Sequence, residues 1–396
     1  MRQSARISGL ALMGLVLAVS GSWAAEKTNN FRQTLTPLGN QVRIANLAGR
    51  IELVPGGGSD VVVEATVHAE GRNDGETQRL LQEMKWVRSR DKEGREEWAL
   101  AYPVDDYKAF HYPRKNQDES DLPDFLSFLE NGYSSTYYRG EKVRIYSQRR
   151  SSAPTLYANL KISLPAGSQV AVRNVIGPVN GTGALQANLT IKTGSGDVRI
   201  ASHAGQLNVD TGSGNVTVGA VRGETTIDTG SGDVTVRRMV GNGGVDTGSG
   251  NVTVENVSAG RLSIDTGSGD VVVRQGTASR VLADTGSGNV SVLGVELEEL
   301  DADTGSGDVT VQSSLAKARR VTADTGSGNV RISAGPDASF DIESDQGSGE
   351  LRVGYSDAVL RKSGRKVTGA KRGDGRTVIR VETGSGDCII TPRGEE

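Results

Sequence analysis

From Leu262 to Arg274 the chain alternates twice. Leu262, Ile264 and Thr266 stand against Ser263 and Asp265, and Val271 and Val273 against Val272 and Arg274, with Gly267-Ser268-Gly269 between the two runs. Period-2 alternation rich in Val, Ile and Thr predicts two short strands. The glycines predict a corner, where φ > 0 is open to them and strained for a residue with a Cβ.

The same unit recurs. Thr-Gly-Ser-Gly followed by Asp or Asn begins at Thr193, Thr211, Thr229, Thr247, Thr266, Thr285, Thr304, Thr325 and Thr383, with a degraded copy at Gln346 to Leu351. Successive threonines from Thr193 to Thr325 lie 18, 18, 18, 19, 19, 19 and 21 residues apart. A fixed period of this size marks a solenoid, whose units bury their apolar faces against their neighbours. Stacked coils set equivalent residues in columns ~4.8 Å apart. Two columns then face inward: Val209, Ile227, Val245, Ile264, Ala283, Ala302 and Ala323, and Val216, Val234, Val252, Val271, Val290, Val309 and Val330. The expected fold is all-β, a single-stranded parallel β-helix or β-solenoid with 18–21-residue coils over residues 166–392. Parallel crossover connections favour the right-handed form.

Residues 25–165 read differently, as a capping region. Val42 and Ile44, Ile51 and Leu53, and Val61 and Val63 suggest irregular early coils, with Pro55-Gly56-Gly57-Gly58 as a turn. Leu80, Met84 and Val87 have helical spacing and predict one short helix over about 76–90, lying on the open end of the solenoid. Twelve of the seventeen aromatic residues fall between Trp98 and Tyr157, most of them in an insertion over 103–140. Tyr107, Phe110, Tyr112, Phe125, Phe128, Tyr133, Tyr137 and Tyr138 are its candidates for partner contact, since Tyr gives large contact area at low entropic cost. The competing expectation is that these rings pack on the cap. Between the last two copies, residues 354–376 read as a basic loop carrying Arg361, Lys362, Arg365, Lys366, Lys371, Arg372 and Arg376. It is either a solvated loop or a contact for anionic envelope polymers or lipid head groups.

At the start, Arg2 and Arg6 precede the apolar run Leu10 to Val19, and Ser22-Trp23-Ala24 supplies small residues where a signal peptidase reads. Residues 1–24 are expected to be a secretory signal. The expected location is exported, periplasmic or at the cell surface, and soluble after cleavage, because no later stretch approaches the ~20 apolar residues of a membrane helix. Removing the two arginines takes the formal charge from −3 to −5, which argues against nucleic acid as a partner. Cys388, the only cysteine, stands where other copies carry the inward Val and is expected to be a small core hydrophobe, the alternative being an exposed thiol forming a dimer.

The chemistry offers few catalytic arrangements. Asp-Thr-Gly-Ser resembles the loop of aspartic peptidases, which hold two carboxylates close enough to share a proton. Here it recurs once per coil, which makes it architecture. His68, His111 and His203 are too scattered for a zinc motif. The acids preceding the turn, Asp210, Asp228, Asp246, Asp265, Asp284, Asp303, Asp324 and Asp345, form a ridge in which neighbours would repel by ~1 kcal/mol per pair even in water. Hydrogen bonds from turn amides and the Ser hydroxyl are one compensation, and Ca²⁺ held by Asp210 to Asp324 is the other; no other cofactor is expected. After the corner a second column alternates without error: Asp197, Asn215, Asp233, Asn251, Asp270, Asn289, Asp308, Asn329. An Asn amide between carboxylates can donate to them, though duplication of a two-coil unit would leave the same pattern.

An export signal, an opening from Val42 to Leu53 of the form VRIANLAGRIEL, and tandem Gly-Ser-Gly-Asp-Val units resemble the bacterial putative-adhesin family of β-strand-repeat domains of unknown function. The resemblance implies a β-solenoid at the cell envelope with no catalytic residues. The expected function is therefore a non-enzymatic, adhesin-like scaffold binding an envelope protein or glycan. A polysaccharide-active β-helix enzyme and an envelope-stress sensing component are the alternatives.

Overall fold

A computed structural model describes residues 25–91, 93–112, 133–147 and 153–393. The expected signal (1–24) and two contact candidates, Phe125 and Phe128, lie outside the described residues. The chain forms two compact units, Met1–Gly214 and Asn215–Glu396.

In the first unit, strands are ordered by register and not by chain position. Val42–Ala48 lies between Glu96–Leu100 and Ser168–Ile176, and Ile51–Gly56 lies between Thr155–Pro165 and the start of Val179–Ser195, all in parallel. The opening segment from Val42 to Leu53 is thus an interior coil, covered by residues that follow it in sequence. Three strands close the outer edge antiparallel: Lys27–Leu35 on Val61–Glu70, and Val61–Glu70 on Thr155–Pro165. Capping this way leaves fewer free N–H and C=O groups for unwanted strand addition.

The helix is shorter than its spacing predicts. It spans Asp74–Glu83, begins where Asn73 Oδ1 accepts the Glu76 N–H at 2.9 Å, and gains a reciprocal bond from the Arg72 N–H to Glu76 Oε2 at 2.6 Å. Leu80 and Met84 are buried as the helical pattern requires, but Met84 is already extended and Trp86–Arg90 is a strand paired antiparallel with Glu96–Leu100. A β-branched and aromatic run outweighed the helical coincidence of Val87.

The second unit is the regular array. Its strands stack in parallel with inward residues in register, Ile227 on Val245, Ile264, Ala283, Ala302 and Ala323, each at most 3% exposed. The end of this stack departs from chain order. Thr377–Thr383 pairs with Arg320–Thr325 on one side and with Phe340–Gln346 on the other, so the last copy in sequence sits between the eighth copy and the degraded ninth. The expected basic loop is a β-hairpin, Val359–Ser363 with Lys366–Arg372, whose second strand lies antiparallel on Phe340–Glu343. Degradation of the word at Gln346 to Leu351 follows from this position, since the degraded coil carries the closing hairpin and not another coil. Cys388 stacks between Val330 and Leu351 and is fully buried. Burial pushes its thiol up to about 12, against thiolate chemistry.

Candidate functional site

The repeated corner is held by two ladders. In the first, the buried Thr266 hydroxyl donates to the Gly250 carbonyl of the preceding coil at 2.9 Å and accepts the N–H of its own Gly269 at 3.2 Å. Thr285, Thr304, Thr325 and Thr383 repeat the arrangement at 2.7–3.2 Å. In the first unit the same inward position is taken by Asn46 and Asn174, in register with Thr193 and Thr211. The Asn174 amide donates to the Gly49 and Gly177 carbonyls at 2.8 and 2.9 Å, and the Tyr102 hydroxyl donates to Ala48 O at 2.9 Å. Buried polar atoms here satisfy backbone groups freed at a corner.

The second ladder is the Asp/Asn column. Asn251 donates its backbone N–H at 2.8 Å and its side-chain amide at 3.2 Å to Asp233 Oδ1, and Asn251 Oδ1 accepts the Asp270 N–H at 2.9 Å. The pattern continues through Asn289, Asp308 and Asn329 to Asp387, which is the next residue in space although not in sequence. Each Asn thus supplies a donor and withholds a charge. Changing both Asn251 and Asn289 to Asp is expected to lower stability by ~1–2 kcal/mol at low salt, with most of the loss recovered at 1 M salt, where screening falls to ~3 Å. Equal unfolding midpoints at both salt concentrations would leave duplication as the sufficient account.

Part of the carboxylate ridge lacks the expected hydrogen bonds from the turn. In the second unit it runs from Asp228 through Asp246, Asp265, Asp284, Asp303 and Asp324 to Glu382 and Asp345. Among the described residues, Asp265, Asp284, Asp303 and Asp324 accept no hydrogen bond, and at the corner after Asp265 the Gly267, Gly269 and Asp270 amides are engaged by Thr247 O, the Thr ladder and the Asp/Asn ladder. No group of three or more His, Cys, Asp or Glu side chains among the described residues is placed to hold a metal ion. One carboxylate per coil along a line gives a calcium ion too few ligands. Partial burial and then the charges of Asp324, Asp284 and Asp301 raise the Asp303 carboxyl above its usual value. A raised folded-state pKa penalises the charged form at neutral pH, and the penalty is relieved as pH falls through that raised value toward 3.8. Asp303→Asn is accordingly expected to raise the melting temperature slightly at pH 7 and to leave it unchanged below the ordinary aspartate range.

The aromatic candidates divide. Phe110 and Tyr138 are fully buried and Tyr112 nearly so, which removes them from any contact surface: Tyr138 donates to Leu100 O at 2.7 Å, and Tyr102 packs edge-on against both Phe110 and Tyr138. Tyr107 donates to Glu76 Oε1 at 3.0 Å, tying the insertion to the helix. Tyr133 is half-buried against Tyr146. Tyr137, 67% exposed, remains a free face.

Tyr137 stands at a groove of about 820 Å³ on the first unit. Outward small residues of the coils line it, Ala171, Thr190, Gly194 and Gly212, together with the hairpins Trp86–Arg90/Glu96–Leu100 and Tyr133–Tyr138/Glu141–Tyr146. Its four carboxylates are all engaged. Arg95 holds Asp91 at 2.7 Å and Glu93 at 2.6 Å, Arg173 holds the buried Glu97 at 2.5 Å, and Lys192 holds Asp210 at 2.9 Å. Burial opposes ionisation of Asp91, yet the hydrogen bonds from Arg95 carry its pKa below the usual value. Arg43, Arg90 and Arg139 line the same groove without an ion pair or side-chain hydrogen bond among the described residues. Sequence reading missed this site because its arginines come from three separate segments.

The repeat architecture has a counterpart among known families: the Toastrack DUF4097 model matches residues 139–240 and again 225–391. The chain belongs to the Toastrack family. The Toastrack match covers Arg139, Arg173 and Lys192 of the groove, while Arg43 and Arg90 precede it. No curated protein matches the chain. Among solved structures, a "putative lipid binding protein" from Parabacteroides distasonis is 11% identical, covering 92% of this chain and 96% of its own, with a TM-score of 0.36. A "putative cell adhesion protein" from Clostridium sporogenes is 10% identical over 93% of this chain and 100% of its own, with a TM-score of 0.18. A "putative adhesin" from Parabacteroides distasonis is 11% identical over 92% and 97%, with a TM-score of 0.27. No helix among the described residues of this Toastrack protein is long and apolar enough to cross a membrane.

Proposed function

We propose that this Toastrack protein is a non-enzymatic scaffold of the bacterial cell envelope, exported by residues 1–24, which binds its partner in the groove of the first unit. The observation that carries the reading is the set of guanidiniums without an ion pair among the described residues, Arg43, Arg90 and Arg139, around a groove whose floor includes the small residues Ala171, Thr190, Gly194 and Gly212. Charges left without a partner in a concavity are held ready for one from outside the chain.

A groove holding carboxylates and arginines is also what a glycan-cleaving β-helix would have, and the state of the carboxylates supports the binding reading. Glycoside hydrolysis needs one carboxyl kept protonated, with its pKa raised, as the acid. Asp91 is shifted the other way, and Glu93, Glu97 and Asp210 are neutralised by cations. Each of the four is held in an ion pair by Arg95, Arg173 or Lys192, an arrangement that favours binding over acid catalysis. Sedimentation of the purified chain with washed envelope material tests the reading. The chain is expected in the pellet and Arg43→Gln/Arg139→Gln largely in the supernatant; identical partition of the two proteins would overturn it, as would release of new reducing ends from the pelleted glycan.

A further inference from the structure

Resting on that reading, we propose that the ligand of the groove is an acidic polysaccharide, a chain of sugar rings bearing carboxylates, with Tyr137 as the stacking platform for a ring and Arg43, Arg90 and Arg139 as the carboxylate clamps. Four observations lead to this class. The groove crosses successive parallel strands, Val42–Ala48, Ser168–Ile176, the second half of Val179–Ser195 and Leu207–Ser213, because Arg43, Ala171, Thr190 and Gly212 all line it. Four strands span ~14 Å, which suits an extended polymer better than a single small anion.

The floor comes second. Ala171, Thr190, Gly194 and Gly212 project little, so a ring can lie close to the backbone there, beside Arg173 and the Lys192–Asp210 pair of the same strands. Third, the guanidiniums are spread over three elements. Arg43 comes from an interior coil, Arg90 from the first hairpin and Arg139 from the turn of the second, where its φ of 51° fixes it in the left-handed region. Planar guanidiniums engage carboxylates in a bidentate fashion, and three spaced ones match a chain that carries charge at intervals.

The fourth is the aromatic. Tyr137 lies two residues from Arg139 in the same wall and keeps 67% of its surface exposed with no ring partner among the described residues. A flat exposed aromatic beside cations recognises a ligand with both an apolar ring face and negative charge. A bilayer is disfavoured, since the site is concave and offers one exposed ring in place of an apolar patch. Arg173, paired with Glu97, and Lys192, paired with Asp210, lie in the same groove and are already neutralised, which leaves Arg43, Arg90 and Arg139 as the clamps.

The test is titration calorimetry of the purified chain with oligogalacturonate, a neutral oligomer of glucose, inorganic polyphosphate and poly-glutamate, at low and high salt. Oligogalacturonate is expected to bind and the neutral oligomer not, with affinity falling steeply as salt rises. Arg43→Gln/Arg90→Gln/Arg139→Gln is expected to weaken oligogalacturonate by about 100-fold or more, from the loss of three charge-assisted contacts. Tyr137→Ala is expected to weaken it about 10-fold while leaving any polyphosphate binding unchanged, since only a ring ligand uses the tyrosine face. All four side chains lie at the groove surface, and an unchanged melting temperature confirms that each variant is folded. Binding of polyphosphate or poly-glutamate at equal strength, with no effect of Tyr137→Ala on oligogalacturonate, overturns the assignment. A chain that sediments with envelope material yet ignores oligogalacturonate sinks this inference and leaves the scaffold reading standing.

Discussion

Gly288→Ala is expected to destabilise the second unit by ~3 kcal/mol or more, the upper end of what overpacking costs. A Cβ at Gly288 would lie 2.0 Å from the Gly269 carbonyl oxygen and 2.4 Å from its carbon, both backbone atoms of the coil beneath. Neither side can rotate away. The same contact recurs at Gly269 on Gly250, Gly307 on Gly288 and Gly328 on Gly307, at 1.9–2.0 Å. A shift at one coil therefore passes to the next, and stability in a stacked array is a sum of such nearest-neighbour terms. Gly244 is the control. It lies in a strand of the same unit with nothing within 4 Å of its would-be Cβ, so Gly244→Ala should be neutral or stabilise by ~0.5 kcal/mol through the unfolded state. Urea unfolding of the two variants checks the difference in sign. Equal midpoints would mean that the coils are not in close backbone contact at the corner.

This contact also shows where sequence reading succeeded for an incomplete reason. The alternation of Leu262, Ile264, Val271 and Val273 identifies the strands and their inward faces, because a one-residue slip would turn the whole apolar set outward. The glycine corner is equally legible, but its cause is different. In the regular coils Gly267, Gly269, Gly286 and Gly288 do not take a positive φ, and glycine is required because a neighbouring backbone occupies the place of a Cβ. The left-handed corner lies elsewhere in the coil, at Asn256, Gln275 and Gly294, with φ of 49°, 58° and 68°. A single chain read in order carries no information about what lies above or below it, which is why approach and conformation could not be told apart.

The same limit hides the order of coils at both ends. Nothing in the run from Val42 to Leu53 says that Glu96–Leu100 and Thr155–Pro165 will cover it, since the pairing is made by backbone groups common to every residue. A faint signal does exist at the other end. Asp387 continues the Asp/Asn alternation directly after Asn329, as its place in space requires, whereas Glu350, nearer in sequence, breaks it. The groove was less legible still. Its aromatic member was within the named insertion, but Phe110 and Tyr138 share that composition and face inward, and only pairing register separates the ring that is free from those that are buried.

Thr285→Val is the second large effect expected, a loss of ~2–4 kcal/mol despite a gain in apolar surface. The substitution keeps the shape of the side chain and removes the hydroxyl, leaving the Gly269 carbonyl without the bond it receives at 2.8 Å and the Gly288 N–H without the one it makes at 3.2 Å. Each unsatisfied buried backbone group costs ~1–3 kcal/mol. The added methyl returns only ~0.8 kcal/mol. Two losses against one small gain fix the sign. Thr285→Ser, which keeps the hydroxyl and loses a methyl, should therefore be the more stable of the two variants, the reverse of what a purely apolar interior would give. Equilibrium unfolding of both, with hydrogen exchange at the Gly288 amide, measures the order. A Val variant as stable as the parent would show that the threonine column is filler and that the coils hold together through their aliphatic columns alone.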